Sequence, residues 1–74
     1  MKLTELKNRQ SARVAGIEGG TGVERRLEAL GIKPGIEVTV ISSHFWGGPV
    51  TIQVGKSKIS VGRGMAGKIT VEKH

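Results

Sequence analysis

The side chains best suited to chemistry in this 74-residue chain fall at one place, Ser42-Ser43-His44-Phe45-Trp46. A serine near a histidine invites a nucleophile–base reading. That reading needs a carboxylate to orient the imidazole and a hydroxyl within its reach in space, and adjacency in the chain supplies neither. The sequence has no aspartate, and its six glutamates form no convincing pair around a shared cleft. The chain therefore reads as non-enzymatic. A closed metal site wants three or four ligands. His44 and His74 are the only imidazoles and there is no cysteine, so no metal ligand and no cofactor is assigned. His44 reads as a solvated loop histidine, and His74 is the last residue.

Two glycine-rich stretches, GIEGGTG and GRGMAG, raise the question of phosphate binding. The first precedes a helix start, where backbone N–H groups attract anions. Neither contains the Gly-Lys-Ser/Thr run of a P-loop, so both read as turns. Phe45 and Trp46 are the only aromatics. They either fold back as a lid over the end of the domain or meet a partner. Exposed tryptophan with arginine nearby is the usual composition of an interface hot spot. The helix side chains Arg25, Arg26 and Glu28, with Phe45 and Trp46, are accordingly the candidate partner-binding residues. A second copy of the chain would be served by the Phe-Trp pair equally well. A rival reading uses the same aromatics with Lys56, Lys58 and Arg63 to bind RNA or single-stranded nucleic acid through charge and stacking. One aromatic cluster is few for a multi-base platform, and this reading is the less favoured.

Twelve Lys plus Arg against six acidic residues give a net charge of +6. Such a balance suits acidic partners, although the charges are scattered. No apolar run approaches membrane-spanning length and no secretory h-region is visible. With no cysteine, the expectation is a cytoplasmic protein, one domain over residues 1–74.

The elements that must hold these residues are short. Leu3 to Leu6 forms a helical turn capped at Thr4, with both leucines inward, and Asn8-Arg9 turns the chain. Ser11 to Ile17 alternates as a strand, and Gly16 allows a bulge that returns Ile17 to the core. Thr21-Gly22-Val23-Glu24 has the form of a capping box, followed by the apolar stripe Val23, Leu27 and Leu30. Gly31 suits a left-handed helix stop with Ile32 folding back toward Leu27, and Pro34 prevents continuation. Strands follow at 36–40, 50–54, 58–61 and 69–71. Gly55-Lys56 makes a tight hairpin, and residues 62–67 form a turn with one 3₁₀ turn at Met65-Ala66. About five antiparallel strands, each apolar on one face, bury those faces best as a small barrel with one inserted short helix and roughly 18 to 20 core side chains.

RRLEALGIKPGIEVTVI, then GGPVTIQV, then ISVGRGMAGKITV, in that order and spacing, resembles the FeoA family of ferrous iron transport accessory proteins. The match runs from LTEL to ITV. The resemblance implies an SH3-like barrel and a cytoplasmic role beside the FeoB-type membrane transporter, which carries a GTPase domain. Asn8-Arg9 stands where the family often has Pro-Gly, and Phe45-Trp46 is bulkier than the family's usual loop.

Overall fold

A computed structural model describes residues 1–43 and 47–73. Five strands form one antiparallel sheet, β1 (Ser11–Ile17), β2 (Glu37–Ser42), β3 (Val50–Val54), β4 (Ser57–Val61) and β5 (Ile69–Glu72). Their spatial order is β4-β3-β2-β1-β5. Helix α1 (Gly20–Ala29) is inserted between β1 and β2, and the four-residue α2 (Arg63–Ala66) joins the two outermost strands. The architecture is the expected one, mainly β with one inserted helix of any length.

Alternation sets the strands. In β1, Ala12 and Val14 are buried while Arg13 and Ala15 are exposed. Against β5, Val14 pairs with Val71, and the next pair is Gly16 with Thr70. Ala15 is therefore the extra residue of a bulge. The bulge resets the parity of two and brings Ile17 back to pack on the core. A second bulge in β2 lies between Val40 and Ser42. It leaves Ile41 outward and 36% exposed. Charge follows the register too: Arg13 lies between Glu37 on β2 and Glu72 on β5. Opposite charges at such cross-strand positions contribute roughly 0.2–1 kcal/mol each.

One core fills the space between sheet and helix. Leu3, Leu6, Ala12, Val14, Leu27, Ile32, Val38, Val40, Val50, Ile52, Val61, Ala66, Ile69 and Val71 are buried, and six further apolar side chains pack against them. The total agrees with the expected size.

The start of α1 departs from expectation, for a tertiary reason. The helix begins at Gly20, behind a left-handed Gly19, and has no side-chain cap. Thr21 lies inside the first turn, so the Thr21–Glu24 capping box does not form. The start is set from outside. The Glu18 amide donates to the Lys68 carbonyl at 2.7 Å, and Val23 and Lys68 crowd Gly19 so closely that a Cβ there would meet both at 3.1 Å. At the other end the expected Schellman turn is present. Gly31 has φ +88°. The Ile32 amide donates to the Leu27 carbonyl at 2.9 Å, and the Gly31 amide to the Glu28 carbonyl at 2.9 Å. This reversal carries Ile32 into the core, fully buried, and leaves Leu30 44% exposed. Leu30 thus drops out of the apolar stripe, and Ile32 takes its place.

The remaining corrections are local. The first helical turn is 3₁₀ and spans Leu3–Glu5, so Thr4 lies inside it; the Lys2 amide donates to the Glu5 carboxylate at 2.9 Å. β2 reaches Ser42 because Val40 bonds to both Arg9 and Gln10 through its backbone while Ser42 pairs with Thr51. Residues 63–66 are one α turn, with the Ala66 amide donating to the Gly62 carbonyl at 2.8 Å.

The extreme N-terminal residues add a further rung beyond β5. The Met1 ammonium donates to the Val71 carbonyl at 3.2 Å. The Val71 amide donates to the Met1 carbonyl at 2.7 Å, and Lys2 bridges Thr70.

Three substitutions separate packing from backbone effects. Leu27→Ala, which empties a fully buried site, should cost about 2–5 kcal/mol in denaturant unfolding. Gly31→Ala should cost about 1–2 kcal/mol through its left-handed backbone, since the new Cβ meets only Val54 at an ordinary 3.7 Å. Gly22→Ala, in open space on α1, should instead stabilise by about 0.5–1 kcal/mol. Thermal or urea melts of the three variants check the signs as well as the sizes.

Candidate docking surface

The interior contains no buried polar or charged residue among the described residues. The described polar and charged side chains lie at the surface or half-buried, and α1 presents the densest group of charges. Around a helix of 100° per residue, Leu27 defines the core direction. Arg25 then points nearly opposite, Arg26 lies on one flank, and Glu24 and Glu28 lie on the other. All four are exposed. No side-chain hydrogen bond or ion pair to another described residue holds Arg25, Arg26 or Glu28. Three of the five expected partner-binding residues thus lie on one outward surface, with Arg26 turned away from Glu28. Phe45 and Trp46, like His44 and His74, fall outside the described residues.

The sequence pattern did not reveal two neighbours of that surface. Leu30 is one turn beyond Arg26 and presents an apolar side chain at the helix end. Its position immediately before a left-handed glycine is the signal that could have marked it, because the reversal substitutes Ile32 in the core. On the opposite flank, Glu24 and Glu28 line a recess of about 130 Å³ with Ile17, Ile32, Lys33 and Pro34. The recess arises where the β1 bulge and the helix stop meet. It combines an apolar floor with carboxylates at i and i+4.

The basic residues of the nucleic-acid reading do not converge. Lys56 and Lys58 are exposed at the β3–β4 hairpin. Arg63 begins α2 past the far end of β4, beyond the three residues and about 10 Å of strand that follow Lys58. Its Nε donates to the Gly48 carbonyl at 3.3 Å. It lines a broad polar depression with Thr4, Glu5, Leu6, Lys7, Asn8 and Ser43. Among the described residues no group of three His, Cys, Asp or Glu side chains has the spacing to hold a metal ion. No helix among them is long and apolar enough to cross a membrane.

Comparison with known proteins gives this surface its context. The chain matches the family model of the FeoA domain over residues 1–73. It is 39% identical over 70 residues to a candidate Fe(2+) transport protein A of Methanocaldococcus jannaschii, covering 95% of this chain and 83% of that one. Its fold is similar to the crystal structure of an iron uptake regulatory protein, FeoA, with TM-score 0.90 and 31% identity over 100% of this chain and 96% of the other. It is also similar to zinc-complexed FeoA of Stenotrophomonas maltophilia, with TM-score 0.83 and 29% identity over 97% and 89% of the two chains. That protein is described as a prokaryotic SH3 domain protein, and the five-stranded barrel with its short helix before the last strand is accordingly SH3-like. With the family model matched from residue 1 to residue 73, the chain belongs to the FeoA domain family.

Proposed function

We propose that this chain is a non-enzymatic, cytoplasmic accessory protein of ferrous iron uptake. It docks on the cytoplasmic part of a FeoB-type transporter and modulates it by biasing its conformation or its nucleotide cycle. Membership of the FeoA family supplies the link to ferrous iron. A relative of similar fold is described as a candidate ferrous iron transport activating factor. The observation that carries the docking reading is the outward surface of α1. Arg25, Arg26 and Glu28 stand exposed without side-chain partners among the described residues, and Leu30 adds an apolar contact 44% exposed beside them.

Arginines next to an exposed leucine offer both the charge that steers encounter and the area that holds a complex. Arg26, in the last turn of α1, also complements the helix dipole there. Replacing it removes two effects, and only one of them concerns a partner. Arg25 points straight outward, so its loss reads docking alone. The five residues Arg25, Arg26, Glu28, Phe45 and Trp46 are the proposed contact set.

The test is retention of the purified protein on the transporter's immobilised cytoplasmic domain. Wild type should be retained. Arg25→Ala should bind about tenfold more weakly, the loss of roughly 1.4 kcal/mol that a moderate hot spot gives, with its melting temperature unchanged. Trp46→Ala measures the loop's share. If wild type is not retained, the reading fails. If it instead binds a single-stranded oligonucleotide at micromolar strength with a steep salt dependence, the nucleic-acid reading replaces it.

A further inference from the structure

The two outer strands of the sheet are treated differently. β5 has β1 on one side and the Met1-Lys2 segment on the other, so its outer edge is already paired. Among the described residues, β4 pairs only with β3. Which of its groups face outward follows from the hairpin. Val54 pairs with Ser57 across the two-residue turn Gly55-Lys56. Gly55 has φ +59° and Lys56 is not left-handed, which makes the turn type II′. In such a hairpin the flanking pair exchanges both of its hydrogen bonds, and hydrogen-bonded and non-bonded pairs then alternate. Ser57, Ile59 and Val61 therefore direct their backbone groups to β3. Lys58 and Ser60 direct theirs away from the sheet. Among the described residues, no backbone hydrogen bond outside the regular ladders involves Lys58 or Ser60.

The side chains along this edge have a defined chemistry. Lys58 and Ser60 are exposed on one face. Ile59 is partly buried on the other, packed against the core cluster. Lys56 is exposed at the turn, and the stretch from Gly55 to Lys68 contains no acidic residue. A second copy of the chain pairing through the same edge would bring like charges together, which disfavours self-association.

We propose that the β4 edge receives an extended, acidic segment of a partner protein, which adds as a further antiparallel strand. Backbone groups of Lys58 and Ser60 supply the ladder. The incoming strand alternates acidic residues, opposite the Lys58 face, with apolar residues that complete the cover over Ile59. This surface is distinct from the α1 surface and is tested without the transporter. The general mode is strand addition to a sheet edge, where the backbone gives affinity and alternate side chains give specificity.

The probe is a capped heptapeptide of alternating glutamate and valine, titrated into the isotope-labelled full chain while amide exchange is followed by NMR. The Lys58 and Ser60 amides should slow by about tenfold or more at saturation. The Ile59 and Val61 amides, already bonded to β3, should change little. Lys58→Glu should abolish the effect of this peptide and confer binding of the lysine–valine counterpart. Ser60→Pro should remove binding while leaving the β3 pairing intact, because the lost N–H faces outward. Exchange at Lys58 and Ser60 unchanged at millimolar peptide would overturn the proposal. So would equal binding of the glutamate and lysine peptides, or Lys56 and Lys58 resonances that respond to a single-stranded oligonucleotide and not to the peptide.

Discussion

The constraint on which everything else depends is the dryness of the core. A chain of this length without cysteine has no disulfide to rely on, and among the described residues its interior is closed by aliphatic and methionine side chains. Unpaired polar groups would be costly there; the fold avoids them by keeping the described polar and charged residues at the surface or half-buried. Two devices make this possible. The bulge at Ala15 lets β1 give both of its ends to the same core, and the Schellman turn puts Ile32 under the helix. Both place a side chain inward where simple periodicity would not.

The same constraint determines where function can lie. Every ionisable side chain in the described residues is directed outward or along the rim, so recognition is a matter of surface. The protein is strongly basic overall, yet its charges are not uniform. α1 separates a flank with two glutamates from one with an arginine, and the β4 hairpin is purely basic. A domain of this kind offers several small, chemically different faces.

Much of the fold was legible because it rests on local rules. Alternation marked β1 from Ser11 to Ile17, Gly16 marked its bulge, and Leu-Gly-Ile before Lys-Pro-Gly marked the end of α1. One failure is tertiary and one is local. The Thr21 box has the correct local form, but Lys68, almost fifty residues away, holds the chain at Glu18 and packs on Gly19 before Thr21 can act. Leu30 fits the helical period, but the reversal after it gives the core to Ile32. For the candidate surface, exposure of Glu24, Arg25 and Glu28 followed from the helix period alone, with Arg26 nearer the flank. The neighbouring recess did not, because it needs β1 and the helix stop to meet in space. Iron could be read only through the family resemblance, since no residue pattern in the chain requires it.

The pairing of Met1 and Lys2 with β5 has a consequence for the order of events during synthesis. The central strand β1 and the segment Met1-Lys2 share one partner, β5, which is made long after both of them. Until residues 69–72 have left the ribosome, one side of β1 has no strand beside it and Leu3 has no strand wall to rest on. Hairpin β3–β4 and the Schellman turn of α1 are built from near neighbours and can form earlier. Non-local pairing of this kind is the slow part of folding. The domain therefore closes like a clasp, when residues 69–72 fit between β1 and the Met1-Lys2 segment.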